Sequence, residues 1–226
     1  MHEETGGAAA GVGLAAVLFD MDGLLIDSER LWLEVETGVM DWLGGSWGPE
    51  QQEQMVGGSL DVAVRLMLEH TGADAAPEEV ARRMVDGMVE RLSASVPMMP
   101  GAKELLAEVQ AAGVPAALVS SSYRRLLEPV LDALGREHFV LTVAGDEVAR
   151  PKPDPEPYLK ATAALGVPPG RCVVLEDSPN GLAAAEAAGC RTVAVPGLLP
   201  IREAPGRVVV ASLCEIDLAG LSAMVG

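Results

Sequence analysis

The chain has 226 residues, of which 49% are hydrophobic and 22% are charged, and its formal net charge at pH 7 is −17. This composition predicts a folded chain with a substantial core and excludes extensive disorder. An excess of acidic side chains on this scale is repelled by nucleic acid and by anionic membrane surfaces, so we expect neither as a partner.

A few local features indicate the compartment. Glu3 and Glu4 stand where a secretory signal would carry positive charge, and no apolar run is long enough to span a bilayer. Cys172, Cys190 and Cys214 lack metal-ligand spacing and have apolar neighbours, which predicts buried free thiols in a reducing compartment. We therefore expect a cytoplasmic protein and, as to its assembly, a monomer or a weak dimer.

The first predicted element already suggests chemistry. Residues 1–12 predict a flexible leader, and the apolar run 14–18 predicts a buried strand. Asp20 and Asp22 follow this strand, and carboxylates this close resist joint ionisation unless a cation offsets them. Mg²⁺ beside a substrate phosphate fits such a site, and a carboxylate can itself be a nucleophile. The motif therefore predicts metal-assisted phosphoryl transfer.

The pattern then changes to helices over residues 28–96. Apolar side chains recur at helical spacing over residues 31–43, where two glycines end the run, and again over 60–68 and 77–92. Because no strand-like alternation occurs in this block, we predict an all-helical domain inserted into a larger domain made of residues 13–27 and 97–226.

From residue 100 onward, short strands and helices alternate. Such alternation predicts right-handed crossovers and a parallel sheet, so the predicted fold class is α/β, with a doubly wound, mainly parallel Rossmann-like core sheet. Ser178 followed by Pro179 is a typical helix start. The predicted helices cover residues 102–112, 124–134, 156–165 and 179–188, and the predicted strands cover 114–119, 140–144, 171–175 and 192–195. The last of these strands is expected to close the sheet, while a further strand at 207–210 is an option and 213–221 is left open.

Polar side chains stand at or just after the carboxyl ends of four predicted strands. Taken singly, each has a structural explanation as a turn residue, a helix cap or an exposed lysine. Taken together they favour one site, because the carboxyl ends of parallel strands meet at one edge of the sheet. The residues are Asp20 and Asp22, Ser120, Lys152, and Glu176 with Asp177.

These motifs resemble those of the haloacid dehalogenase-like phosphohydrolase superfamily. The similar stretches are FDMDGLLIDSE at 19–29, VSSS at 119–122, RPKPDP at 150–155 and LEDSPNG at 175–181. With the helical insertion as its cap domain, the chain is most similar to the β-phosphoglucomutase-like branch. The resemblance implies a Mg²⁺-dependent phosphatase that hydrolyses a small phosphorylated metabolite, a sugar or polyol phosphate, through an aspartyl-phosphate intermediate.

The resemblance also implies catalytic roles. Asp20 would be the nucleophile, and Asp22 the general acid that protonates the leaving oxygen and then the base that activates water. Ser120 would hydrogen-bond the transferring phosphoryl group, and Lys152 would screen the negative charge gathered there.

Further residues would bind the metal and the phosphate. Mg²⁺ would be held by Asp20, Asp22 and Asp177, with Glu176 as a direct or water-mediated ligand. The phosphate would be bound by Ser120 and Lys152, by Ser121, and by backbone N–H groups after Asp20, of which Met21 offers one.

On the cap, Trp32 and Gly57 would meet the substrate, although core packing of Trp32 is an equal alternative. Asp27 and Ser28 are expected to be cap and hinge residues of the first cap helix. Trp32 stands where the mutase of this branch has a histidine, and the loop around Gly57 has no basic residue. Both departures disfavour the alternative function, a sugar-phosphate mutase. A non-catalytic phospho-acceptor or binding module is the alternative from a different class.

Overall fold

The structure is a computed structural model that describes residues 13–53 and 59–225. Its centre is a six-stranded sheet in which all neighbouring strands are parallel. The strands are β1 (Ala16–Phe19), β2 (Ala116–Val119), β3 (Leu141–Val143), β4 (Cys172–Glu176), β5 (Arg191–Ala194) and β6 (Arg207–Val209). They lie in the order β3-β2-β1-β4-β5-β6, which is the order of a Rossmann-type sheet. The predicted α/β class is therefore confirmed.

The helices fall into two groups along the chain. The first four follow β1 and form a helical cap, and the other five are distributed among the remaining strands, with no helix between β5 and β6. The described residues contain α1 (Glu29–Leu43), α2 (Pro49–Glu53), α3 (Leu60–Thr71), α4 (Pro77–Ala94), α5 (Ala102–Ala111), α6 (Arg124–Leu134), α7 (Glu156–Leu165), α8 (Pro179–Ala187) and α9 (Leu218–Ala223). None of these helices is both long enough and apolar enough to cross a membrane.

The central strand β1 is buried on both faces. Val17 and Phe19 point to the side covered by α5 and α6, and Ala16 and Leu18 point to the side covered by α7 and α8. Residues on a strand alternate between faces, so an uninterrupted apolar run satisfies both layers at once. This burial holds the carboxyl end of β1 in the middle of the sheet.

The two chain segments that join the cap to the core, residues 25–27 and 97–99, are hydrogen-bonded to each other where they cross. The Asp27 N–H donates to the Pro97 carbonyl at 2.8 Å, and the Met99 N–H donates to the Leu25 carbonyl at 3.0 Å. The apolar side chains of α1, α3 and α4 pack together and join the cluster on the α5–α6 side of the sheet. The crossing lies beside the predicted domain boundaries at residues 28 and 97, which stay a prediction.

Three details differ from the prediction. The strand at 192–195 does not close the sheet, because β6 pairs in parallel with β5 and lies outside it. The undecided stretch 213–221 is a short 3-10 turn followed by α9, and α2 was not predicted. A strand of three residues and a helix of five carry too little periodicity to be distinguished from loops.

The cysteine prediction is right at two positions and wrong at the third. Cys172 and Cys190 are free and buried, but Cys214 is free and exposed. Cys214 lies in the 3-10 turn Leu213–Glu215, where only Leu213 is buried. One apolar neighbour was therefore enough to suggest burial at a position that faces solvent.

Candidate active site

The carboxyl ends of the central strands form the floor of a cleft beneath the cap. Four of the predicted catalytic and metal-binding residues line this cleft, namely Asp20, Asp22, Lys152 and Asp177. They come from three separate parts of the chain, and the parallel strands bring them together. Asp20 directly follows β1, and its N–H donates to the Leu175 carbonyl of neighbouring β4 at 3.1 Å. The first aspartate is therefore held in place by the sheet itself.

Lys152 occupies the centre of the floor. Its ammonium group donates to Asp20 Oδ1 at 2.6 Å, to Glu176 Oε1 at 2.7 Å and to the Val119 carbonyl at 2.8 Å. All three N–H groups are thus used, and the residue is only 6% exposed. Burial alone would lower the pKa of Lys152, but the carboxylates of Asp20 and Glu176 raise it above its ordinary value. The group therefore stays a cation.

One ammonium does not balance the carboxylates around it. Asp20, Glu176 and Asp177 each offer an oxygen, and these oxygens lie within 4.8 Å of one another. Burial raises the pKa of Asp20 well above its ordinary value, and Glu176 and Asp22 raise it further, although Lys152 acts in the opposite direction. Burial likewise raises the pKa of Asp177, and Asp20 and Glu176 add to this effect. The cluster is short of positive charge, and its hard oxygen donors suit a divalent cation.

Glu176 is held from behind the cleft. Its Oε1 accepts the Tyr158 hydroxyl at 2.6 Å in addition to Lys152, and its Oε2 accepts the Ser178 hydroxyl at 3.2 Å. Ser178 also caps α8, as predicted, since its Oγ accepts the Gly181 N–H at 3.1 Å. A Cβ at Gly181 would overlap the Glu176 carboxylate, so only glycine fits there. Within the predicted motif at 175–181, Ser178 therefore orients the Glu176 carboxylate, and Gly181 leaves the space that this carboxylate occupies.

Asp22 is fixed by hydroxyl groups. Its Oδ1 accepts the Ser28 hydroxyl at 2.7 Å, and its Oδ2 accepts the Ser122 hydroxyl at 2.8 Å. Ser120 is a weaker partner, with an Oγ–Oδ2 distance of 3.4 Å. Gly23 follows with a φ of +77°, and a Cβ there would overlap the Asp177 carboxylate. This turn therefore depends on glycine for both its conformation and its close packing.

The remaining predicted residues differ in how near they lie to the cleft. Ser121 lines it, whereas Ser120 is buried, 2% exposed, and its Oγ accepts the Ser122 N–H at 2.9 Å. The Met21 side chain is fully buried, so only its backbone can face a ligand. Trp32 lines the cleft from the cap, and Gly57 lies outside the described residues. The binding roles of these residues stay predictions.

Three side chains of the site were not identified from the sequence. Tyr158 bonds Glu176, Ser122 bonds Asp22, and Ser28, expected to cap α1, bonds Asp22 and makes no side-chain cap. Ser122 belongs to the VSSS motif and Ser28 to the first motif, so the sequence pointed to their neighbourhood. Tyr158 carried no such signal, because it is one apolar position on α7.

Comparison with known proteins identifies the family. Residues 14–189 match the family described as haloacid dehalogenase-like hydrolase. The chain belongs to the haloacid dehalogenase-like hydrolases. The predicted family and the predicted enzyme class, a hydrolase of the phosphatase kind, are thus confirmed by the match and by relatives that are named phosphatases.

Several relatives are similar over most of their length. Hexitol phosphatase B of Escherichia coli O157:H7 is 34% identical, over 93% of this chain and 95% of that protein. A probable pseudouridine-5'-phosphatase of Drosophila melanogaster is 38% identical, over 79% and 80%. The structure of CbbY from Rhodobacter sphaeroides in complex with xylulose-(1,5)bisphosphate is 32% identical, with a TM-score of 0.85, and covers 92% of this chain and 99% of that one.

Proposed function

We propose that this hydrolase is a Mg²⁺-dependent phosphatase that acts on a sugar or polyol phosphate through an aspartyl-phosphate on Asp20. The observation that carries the proposal is the floor of the cleft. There, Asp20 is held at 2.6 Å from a buried ammonium group, and Asp22 is fixed beside it by two hydroxyls. A nucleophile, a proton carrier and a cation for the phosphoryl oxygens thus lie within one enclosed site.

The donor set fits a magnesium ion. Three buried carboxylates lie close to one another with a single ammonium group beside them. The raised pKa values of Asp20 and Asp177 are consistent with this shortage of positive charge. Asp20 and Asp177 would hold the ion, with Asp22 contributing its backbone carbonyl and Glu176 acting directly or through water. When bound, Mg²⁺ neutralises charge on the phosphoryl oxygens and orients them.

The protein's own residues divide the reaction between them. An Asp20 oxygen attacks phosphorus, the ester P–O bond breaks, and protonated Asp22 gives its proton to the leaving oxygen. Asp22, now a carboxylate, takes a proton from water, which attacks the aspartyl-phosphate and releases inorganic phosphate. The hydrogen bonds from Ser28 and Ser122 keep Asp22 aimed at the leaving oxygen in both steps. Lys152 fixes the orientation of Asp20 through Oδ1 and screens the phosphoryl charge.

A mutase is the weaker candidate. It must hold a second phosphate, yet Lys152 is the only basic residue among the described residues that line the cleft. Residues 54–58, which lie outside the described residues, contain no lysine, arginine or histidine. Conversion of glucose 1-phosphate in the presence of a bisphosphate primer would identify a mutase.

The Asp20→Asn variant tests the proposed nucleophile. We expect release of phosphate from p-nitrophenyl phosphate with Mg²⁺ to fall to the level of the buffer blank, because the amide cannot form the intermediate. The exposed Asp74→Asn variant is the matched control and should keep wild-type activity. An Asp20→Asn variant with full activity would end the assignment. Acid-quenched Asp22→Asn protein should carry phosphate on Asp20 in peptide mass spectrometry.

A further inference from the structure

One face of α1 forms the wall of the cleft opposite the catalytic floor. Glu29, Trp32 and Glu36 are spaced by three and four residues, which places them on the same side of the helix. All three line the cleft. This wall carries two carboxyl groups and an aromatic ring and no basic group.

Glu36 is buried in this wall and is held there by a hydrogen bond. The residue is 4% exposed, and its Oε2 accepts the indole N–H of Trp47 at 2.9 Å. Burial raises the pKa of Glu36, and the Trp47 hydrogen bond partly opposes that rise. Among the described residues, Oε1 of Glu36 has no hydrogen-bond partner. This oxygen is not one of the fully buried atoms without a partner, and the residue lines the cleft, so a hydroxyl group of a ligand could donate to it there.

Glu29 lies on the same face of α1, about two helical turns before Glu36 and nearer the floor. Burial raises the pKa of Glu29, and the backbone N–H of Leu198, from the loop after β5, acts in the opposite direction. Oε1 of Glu29 is buried and has no partner among the described residues. Two carboxyl oxygens on one wall therefore lack donors, and Trp32 between them offers a flat face for C–H groups.

We propose that Glu29 and Glu36 select the leaving group, favouring uncharged, hydroxyl-rich phosphate esters and rejecting esters with a second anion. This inference rests on the proposed phosphatase function. Hydroxyl groups of a polyol or sugar donate to the two free carboxyl oxygens, whereas a carboxylate or a second phosphate meets like charge.

Basic groups near the cleft do not offset this wall. Lys152 has all its donors in use at the floor. Arg124 pairs with Glu147 at 2.7 Å, and Arg125 pairs with Asp86 of the cap at 2.9 Å. A second anionic group of a substrate would therefore find no free cation among these side chains.

Two six-carbon substrates that differ only at the far end provide the test. Sorbitol 6-phosphate ends in a hydroxyl, and 6-phosphogluconate ends in a carboxylate. At pH 8 we expect wild-type kcat/KM to favour sorbitol 6-phosphate by at least about 100-fold, since like charges in close contact are strongly disfavoured. Glu36→Gln, which keeps the shape and removes the charge, should lower this ratio by about tenfold.

A matched control and a second variant keep the test decisive. Glu34→Gln lies on the exposed side of α1, where it pairs with Arg30 and Arg91, and should leave the ratio unchanged. Glu29→Gln should lower the ratio as Glu36→Gln does, and it replaces that variant if Glu36→Gln does not fold.

The outcomes separate this inference from the proposed function. Equal ratios in wild type and in both variants overturn the inference, as does a wild-type enzyme that prefers 6-phosphogluconate or hydrolyses neither substrate. Activity that survives Asp20→Asn refutes the phosphatase mechanism instead.

Discussion

Replacing Lys152 with methionine tests how the buried charges of the site are balanced. The lysine side chain is 3% exposed, and those of its partners Asp20 and Glu176 are 9% and 0% exposed. Methionine keeps most of the apolar stem but leaves both carboxylates buried without their cation. The metal-free protein has no other positive group among the described residues that line the cleft.

The size of the effect follows from this geometry. Removing one partner of a buried ion pair costs about 3–5 kcal/mol of unfolding free energy. For a chain of this length 1 kcal/mol corresponds to about 2–4 °C, so we expect Tm at pH 8 to fall by about 6–20 °C. Loss of the ammonium raises the pKa of Asp20 further, because Lys152 is the group that lowers it. A carboxyl whose folded pKa is raised destabilises the fold above its unfolded pKa, so the deficit should shrink as pH falls toward about 5.

Differential scanning calorimetry in EDTA at several pH values measures this loss. Lys103→Met is the matched control, because Lys103 is an exposed lysine of α5, and its Tm should stay near wild type. A Lys152→Met protein whose Tm at pH 8 lies within about 2 °C of wild type would refute the reasoning. An unpaired buried charge should lower the free energy of unfolding by more than such a small shift represents.

Two further predictions concern the same cluster. Gly181→Ala should lower both phosphatase activity and Tm, because a Cβ there overlaps the Glu176 carboxylate, whereas Gly38→Ala, with no atom within 4 Å of the added Cβ, should lower neither. Activity assays and thermal denaturation of both variants decide this, and an unaffected Gly181→Ala would contradict the packing. The affinity for Mg²⁺, measured by calorimetry, should rise with pH from 6 to 8, because the raised pKa values of Asp20 and Asp177 let protons compete with the ion. A pH-independent affinity would argue against these two ligands.

The neighbourhood of the site was readable from the sequence because its parts lie at strand ends. β1 is an uninterrupted apolar run and β4 is apolar up to Glu176 at its last position, and Asp20 and Asp177 directly follow the two strands. Parallel strands bring such ends to one edge whatever the loops between them do. Prediction of Asp20, Asp22 and Asp177 as neighbours therefore needed only the element order, whereas Lys152 lies in the loop well after β3 and was identified by its motif.

The family and the strand order also separate this chain from the non-catalytic phospho-acceptor alternative, of which a receiver-type signalling domain would be the example. A receiver-type sheet has the order 2-1-3-4-5. Here β1 lies between β2 and β4, and the cap is inserted directly after it. The same few residue types at a sheet edge thus occur here on a different topology, in which a helical cap covers the cleft that contains Asp20.

By itself, the sequence determined where strands and helices lie and which edge gathers the polar groups, because periodicity and caps are local properties of the chain. Only the tertiary structure decided which hydroxyl meets which carboxylate. Ser122 reaches Asp22 across 100 residues, and Tyr158 reaches Glu176 from the helix on the far side of the sheet. Such partners are chosen by how close-packed layers bring side chains together, and no spacing along the chain records that choice.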